Sequence, residues 1–564
     1  MALLAGCTEP EQPVQEELEA PQGVTLADAG LTSLSFSWSA VSGATGYAWR
    51  LTESSTAVAD GIAQQTSVTV GDLKPGTAYR FAVRSTDGSR TSVWSKALDV
   101  STLAPEPPKP EGKVQCVDAP LVLELKGAPV LGSSGRIVIK KKDGTEVDRI
   151  DLADLASVKL REDGIYVPAA TVGNDSKLHS FMDILPCAGK WRAVHCSPLR
   201  ISGSKLIIIP HAGVLAFDTE YYVTMDAGVI GGHAGIADGE WPFSTAGAPA
   251  SSASLRVAAD GSGDICTIQR ALDYASASGC EISVAPGTYT EMLFARDKAN
   301  ITIKGDSRDG VKIVYPNNES YETGSGGSIS SKPARGASIG KSGGRSVFLV
   351  ENCDNLVLQN LTIENSFGEL KGQAETIYFN SGSNAHKLTV ENCSLLSYQD
   401  TFLCKGQVWV HNSLIAGHCD FVWGYPKACL FEDCEICSRA AGYIIQARVP
   451  SVSDKGFVFL NCRLTAESGV KDGTMYLARS AGQADCFDNV VFVNCKMSPA
   501  IAAAGWYSNP APNPAAPTAT GGWREFGSTD FSGNSVTGGR NALGRVLTAD
   551  EAAGYTSRSA VLGW

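Results

Sequence analysis

"SVFLVENCDNLVLQNLTIEN", residues 346–365, sets short runs of Val, Leu, Ile and Phe between polar Asn-rich corners. The same design returns in "HKLTVENCSLLS" (386–397), "KACLFEDCEICS" (427–438), "KGFVFLNCRLTA" (455–466) and "NVVFVNCKMSP" (489–499). Their Asn/Asp-Cys dipeptides begin at 352, 392, 433, 461 and 494, so the separations are 40, 41, 28 and 33 residues. Short strands that recur between turn residues, each too small to bury its own face, indicate a stacked solenoid. β-branched and aromatic side chains favour strands over helices. The expected fold is all-β: a right-handed parallel β-helix over 254–564. Some separations hold two coils and others a long loop. Cys353, Cys393, Cys434, Cys462 and Cys495 read as small buried hydrophobes at one repeating position. Residues 254–291 open this region with strand, helix and strand; the helix, with apolar Ile268, Ala271 and Leu272, caps one end of the solenoid.

Within it, Asp400 and Asp420 interrupt apolar strand-like sequence and lie 20 residues apart. A carboxylate is costly to bury unless it is paired or used. A fully extended chain would separate them by roughly 65 Å. A coil of about twenty residues instead returns the chain one step along the axis, about 4.8 Å away. Two carboxyls that close cannot ionise with equal ease, so they form a natural acid and nucleophile, or acid and base.

The rest of the chain divides by composition. Lys and Arg number 47 against 59 Asp and Glu, a net charge of −12 over 564 residues, which argues against a nucleic-acid binder. An acidic polymer would then need a locally basic site. Leu4-Ala5-Gly6-Cys7 resembles a bacterial lipobox, with Cys7 as the lipidated residue and residues 1–20 as an acidic tether. That places the protein, as a monomer, in a bacterial cell envelope, anchored to the outer membrane through the lipid. Residues 21–103 alternate in short runs; "LKPGTAY", with Leu73, Pro75, Gly76 and Tyr79, resembles the tyrosine-corner segment of fibronectin type III domains, and Trp38 stands at their core tryptophan position. Residues 104–112 are a proline-rich linker. Residues 113–247 read as a second β-sandwich, similar to bacterial Ig-like modules. Their His179, His195, His211 and His233 have no metal-ligand spacing, and Cys187 with Cys196 are candidates for a local disulfide. Cys434 and Cys437 would face opposite sides of a strand, which argues against zinc.

Residues 254–564 resemble pectin methylesterases along essentially the whole catalytic domain. The resemblance is carried by "GTYTE" (Gly287, Tyr289, Glu291), "GQAETIYF" (Gln373), "SYQDTFL" (Gln399, Asp400), "GHCDFVWG" (Asp420), "YLARSAG" (Arg479) and the tail "LTADEAAGYT" before "VLGW". It implies removal of methyl esters from galacturonate units of pectin or oligogalacturonides. Asp420 would be the nucleophile, oriented by Arg479. Asp400 would be the acid and then the base, with Gln373 and Gln399 as oxyanion donors. Neither metal nor other cofactor is implied. Tyr398, Trp423, Tyr425 and Trp506 are candidates either to stack on sugar rings or to pack. Arg448, in "IIQARVP", is open between structural and functional roles.

Three departures from the family bear on substrate. Ser480 and Ala481 stand where Pro and a cleft-lining Trp are usual. Glu375 follows Gln373 on the same strand face, where it would meet an anionic polymer or a decorated sugar. Tyr425 replaces a small or polar residue. Together they suggest a modified or branched pectin, or short oligosaccharides. A catalytically inactive pectin-binding lipoprotein is the alternative from another class, and retention of both aspartates, both glutamines and the arginine weighs against it. A polygalacturonase would need more than "GHC" at 417–419, and a pectate lyase would need acidic calcium ligands that have no match here.

Overall fold

The computed structural model describes residues 18–30, 32–74, 76–103, 114–125, 127–368, 370 and 372–564. Cys7, most of the tether, Pro75 and the linker lie outside the described residues. From Ser254 to Val546 one continuous 23-stranded sheet winds through parallel pairings. Parallel crossovers turn right-handed, and the result is a right-handed parallel β-helix. On one face, Leu356–Gln359, Lys387–Glu391, the segments 407–411 and 428–432, Gly456–Leu460 and Val490–Val493 stack in register. Coil length varies in loops at the corners, while the rungs stay aligned.

Side chains from all the faces meet in one interior. Phe431, Phe459 and Phe492 stack at centroid distances of 4.7 and 4.5 Å with rings nearly parallel, a ladder that in-register repetition produces. The corner residues are Asn or Asp because the chain turns there through the left-handed region: Asn360, Asn392, Asn412, Asp433, Asn461 and Asn494 have φ between 47 and 55°. Short polar side chains tolerate that conformation best after glycine. Asn392 also donates to the Asn360 side chain at 2.9 Å, which ties adjacent corners. The next residue points inward; Cys393, Cys434, Cys462 and Cys495 are buried and their Sγ atoms donate to strand carbonyls. Cys353 does not belong to this column. It follows Phe348–Glu351, which pairs with Ile377–Asn380 on another face, so the 40-residue interval does not hold two coils. The 41-residue interval does, with Asn412 and Ser413 at the intermediate corner.

The helix Ile268–Tyr274 buries Ile268, Ala271 and Leu272 against the first coil, as its pattern required. Its N-terminus is capped locally by Thr267, whose hydroxyl accepts from the Arg270 amide at 3.2 Å, and from a neighbouring segment by Glu291, which accepts from the Ile268 and Gln269 amides, both at 2.9 Å. The Tyr289 hydroxyl donates to the Ala285 carbonyl at 2.8 Å, so the "GTYTE" segment builds this end of the solenoid.

Residues 114–247 do not stand apart; the described residues from 114 to 564 pack as one compact unit. A five-stranded and a three-stranded sheet enclose their own core around Leu121, Ile137, Leu206 and Val223. The hairpin Met182–Cys187 with Lys190–His195 leaves that core, and Leu185, Cys187 and Val194 join the solenoid interior. Arg192 on this hairpin is fully buried and donates to five solenoid carbonyls: Leu293, Gly343, Gly344, Ser346 and Val347. Asp118 accepts from the Cys266 and Thr267 amides and the Thr267 hydroxyl, just before the helix. Cys116, Asp118 and Cys266 bring donor atoms within 4.8 Å of one another, but both Asp118 oxygens are already engaged with backbone. The expected Cys187–Cys196 disulfide is not formed. Cys187 pairs with Lys190 at one end of the hairpin, while Cys196 follows His195 at the other.

Residues 19–103 form a separate sandwich of a three- and a four-stranded sheet. Trp38 and Phe81 fill its core, and the Tyr79 hydroxyl accepts from the Lys74 amide at 2.9 Å, the tyrosine-corner bond its sequence implied.

Candidate active site

Gln373 bridges to Gln399 and Gln399 to Cys419 in parallel, and Phe402 pairs with Val422. Asp400 and Asp420 therefore occupy equivalent places on adjacent rungs, about 4.8 Å apart along the axis. The Asp400 amide donates to the Cys419 carbonyl at 3.0 Å. Both aspartates have left-handed backbone, with φ of 62 and 47°. This conformation is uncommon outside glycine and gathers at functional sites. Two glycines permit the close approach of neighbouring coils here. A Cβ at Gly417 would lie 2.7 Å from the Thr401 hydroxyl on the adjacent rung. One at Gly424, where φ is +128°, would lie 2.3 Å from the Cys404 carbonyl.

The two carboxyls, both nearly buried, have different neighbours. Asp420 receives the Arg479 guanidinium on both oxygens: Nε donates to Oδ1 at 2.7 Å and Nη2 to Oδ2. Gln446 Nε2 adds a third bond, to Oδ2 at 2.9 Å. Asp420 in turn raises the Arg479 pKa, so the guanidinium stays charged. Asp400 accepts from Gln373 Nε2 at 2.8 Å and from Arg345 Nη2 at 3.3 Å, both on Oδ2. Its pKa stands well above the usual carboxylate value. Burial is the main cause, the Glu375 and Asp420 carboxylates add to it, and Arg345 and Arg448 oppose it. One aspartate is thus gripped by a fork of donors, and the other is biased toward keeping its proton.

Gln399 is half-exposed beside Asp400, and its side chain makes no hydrogen bond to the described residues. Arg448 donates to Gln446 Oε1 from Nε at 3.1 Å and to the Tyr425 hydroxyl at 3.0 Å. It therefore orients the amide that holds Asp420.

Several expected contacts require correction. Glu375 does not face the cleft; it is fully buried, and its two oxygens accept from Arg345 Nε at 3.0 and 3.1 Å. Glu375 lies just before the strand Ile377–Asn380, and there the chain turns its side chain inward to a cation that the residue pattern alone did not reveal. Trp506 is 1% exposed and stacks on Trp523 at 5.6 Å, so it fills the interior and no sugar reaches it. Trp423 is 5% exposed, with Arg448 and Arg345 over its ring at 5.0 and 5.9 Å, and it packs beneath the site rather than offering a stacking face. Tyr398 and Tyr425 are half-exposed, and Tyr398 carries the Arg439 guanidinium 4.1 Å over its ring.

Sequence reasoning missed Arg345, Gln446 and a group of three half-exposed tyrosines. Tyr443, Tyr476 and Tyr507 meet at 4.8 to 6.0 Å, with Arg479 over the Tyr443 ring at 4.9 Å. Gln446 was visible in "IIQARVP", since it aligns one rung from Trp423. Tyr507 and Arg345 come from loops whose course no periodicity predicts. Ser480, in place of the usual Pro, is also explained: its hydroxyl donates to Asp488 at 2.8 Å and fixes the loop after Arg479.

Residues 254–559 match the family described as Pectinesterase, and residues 19–101 match the fibronectin type III domain. Pectinesterase 31 of Arabidopsis thaliana is 32% identical over 260 residues, covering 45% of this chain and 76% of the relative. Probable pectinesterase A of Aspergillus niger is 32% identical over 262 residues, covering 46% and 73%. Among solved structures, a pectin methylesterase from Aspergillus niger aligns over 56% of this chain and 95% of its own, at 25% identity and a TM-score of 0.43. The chain belongs to the pectinesterase family.

Proposed function

We propose that this chain is a carboxylic ester hydrolase that removes methyl esters from galacturonate units of pectin, releasing methanol and leaving pectate. The observation that carries the reading is the unequal pair on adjacent rungs: Asp420 held by Arg479 and Gln446, Asp400 biased toward its protonated form.

In the proposed reaction Asp420 attacks the C6 carbonyl of a methylated galacturonate. The fork from Arg479 fixes the carboxylate in one orientation and leaves its charge as the nucleophile. The carbonyl oxygen gains negative charge and is met by side-chain amides from Gln399 and by the second N–H of Gln373, whose first is on Asp400. One such donor is worth about 3 kcal/mol. Asp400 gives its proton to the departing methanol, and an anhydride with Asp420 remains. Asp400, now ionised, takes a proton from water as that water attacks the anhydride. The acid and its carboxylate partner are then restored. The proton on Asp400 and the amides supply the polarisation in this scheme. The tyrosines around Arg479 offer the sugar chain a surface for stacking. Cys7, outside the described residues, is proposed as a lipid attachment point that would hold the monomer at a bacterial outer membrane.

The test is methanol release from highly methylated pectin and from methylated oligogalacturonides. Release without new reducing ends or ultraviolet-absorbing unsaturated ends is expected. Unsaturated ends would indicate a lyase and new reducing ends a polygalacturonase. Binding without any product would favour the inactive alternative.

A further inference from the structure

Arg345 lies at the centre of a carboxyl cluster that the ester-cleaving scheme does not require. It is 6% exposed and contacts three acids: Asp400 from Nη2 at 3.3 Å, Glu375 from Nε at 3.0 and 3.1 Å, and Glu319 from Nη1 at 2.7 Å. Glu375 is wholly enclosed, whereas the Glu319 side chain is 42% exposed at the edge of the cluster. An arginine beside the proton donor is at first sight the wrong charge, because a cation stabilises the ionised carboxylate. Glu375 resolves the conflict. Burial raises the Glu375 pKa and the Arg345 guanidinium opposes that rise; ionised on this guanidinium, Glu375 offsets at close range the field that would otherwise strip Asp400 of its proton.

We propose that Arg345 and Glu375 form a positioning pair for Asp400: Arg345 fixes the acid's Oδ2, and Glu375 neutralises Arg345 so that the acid stays protonated. The inference rests on the assignment of Asp400 as proton donor. The charged and titratable groups acting on Asp400 are Glu375, Arg345, Asp420 and Arg448, with Glu319 on the far side of the Arg345 guanidinium. Neither residue of the pair touches the reacting ester in this scheme. Their effect is read through where Asp400 titrates and how well it is held.

The backbone places the pair deliberately. Ala374–Ile377 runs along the rung below Asp400, with the Thr376 amide on the Thr401 carbonyl and the Val347 amide on the Glu375 carbonyl. Arg345 comes from the loop 343–347, whose carbonyls at Gly343, Gly344, Ser346 and Val347 are held by Arg192. Asn317 adds bonds to the Gly344 and Ser346 carbonyls at 2.9 and 3.1 Å. With the loop backbone held and Glu319 still on Nη1, the guanidinium stays beside Asp400 when Glu375 is neutralised, and Asp400 feels the uncompensated charge.

The experiment is the pH dependence of kcat/KM for methanol release. Wild type must first show release with a limb that falls as Asp400 loses its proton; no release at all would sink the ester-cleaving assignment and not this one specifically. Glu375→Gln leaves Arg345 less compensated, and its alkaline limb is expected at least one pH unit lower, with Glu375→Asp restoring it toward wild type. The double variant Arg345→Met/Glu375→Leu removes both charges. It should keep the wild-type limb within about 0.3 unit while kcat falls at least fivefold, because Gln373 alone then holds Asp400. A thermal melt confirms that each variant is folded. If Glu375→Gln folds with an unmoved or raised limb, the pair does not set the acid. If Glu375→Gln does not fold, the double variant decides: wild-type kcat and KM, or a limb displaced by a full unit, overturns the proposal.

Discussion

Arg479→Lys is the sharpest single test of how Asp420, the proposed nucleophile, is held. Arg479 spans both Asp420 oxygens, with 2.7 Å from Nε to Oδ1 and the Nη2–Oδ2 bond beside it. Lysine keeps the positive charge but is a point donor, so it can serve one oxygen in place of two. One charge-assisted hydrogen bond is lost, worth about 1.5–3 kcal/mol. The Arg479 side chain is 31% exposed while Asp420 is 5% exposed, so water can partly replace the donor from one side only. That discount places the loss nearer the lower bound, about 1.5–2 kcal/mol. At 1.36 kcal/mol per decade, kcat/KM should fall roughly 10- to 30-fold. The loss should appear mainly in kcat, since the contact orients a reacting group and does not bind sugar. Initial rates of methanol release at saturating and sub-saturating pectin, with a thermal melt alongside, measure both quantities. A variant that keeps more than half of the wild-type kcat would show that the bidentate grip does not prepare Asp420, and the nucleophile assignment would lose its main geometric support.

Other expectations follow from the same geometry. Asp400→Asn should abolish methanol release, and it should also become the more stable protein relative to wild type as pH rises. The folded pKa of Asp400 is raised above 3.8, so its proton stabilises the fold below that value and the benefit is lost as pH climbs through the raised pKa. Equal melting shifts of the two proteins between pH 4 and 8 would contradict the buried-acid description. Trp506→Ala should cost about 3–5 kcal/mol of stability and leave KM for pectin unchanged in whatever fraction folds; a raised KM with an unaltered melt would return Trp506 to the cleft. Tyr507→Ala should raise KM about five- to tenfold for oligogalacturonides, on the scale of an aromatic contact worth about 1 kcal/mol, with kcat preserved. A fall in kcat alone would place Tyr507 outside substrate binding.

The repeating corners and the twenty-residue step between aspartates were legible because a solenoid converts linear spacing directly into height along an axis. The rung positions of Asp400 and Asp420 follow from that conversion, whereas Gln373 and Gln399 were reached only through the family resemblance. What sequence could not supply was direction within a rung and the path of the loops. Glu375 and Gln373 sit two residues apart, yet one is enclosed on Arg345 and the other reaches Asp400. Alternation on a strand would put them together, but the residues before Ile377 are not in a regular strand, so the period of two does not apply. Trp506 failed for a related reason: a tryptophan in a Gly- and Ala-rich loop looks exposed until the loop folds back under the next coil and buries the ring on Trp523. Arg345 has no local signature, because its partners are 26, 30 and 55 residues away. The Cys353 assignment shows the limit of dipeptide matching, since an identical Asn-Cys pair serves a different corner of the coil.

The grip of Arg192 on the loop 343–347 changes where this enzyme can be cut. Homology suggests a fragment beginning at Ser254, yet that cut removes a guanidinium filling five carbonyl positions and the Asp118 bonds to residues 266–267. It also bares the interior side chains that Leu185, Cys187 and Val194 now cover. Such a fragment would keep the helix cap but expose an apolar patch beside it, a surface through which solenoids associate and precipitate. A truncation that keeps residues 114–564 retains the cover; for production, crystallisation or directed evolution, the middle segment belongs with the catalyst.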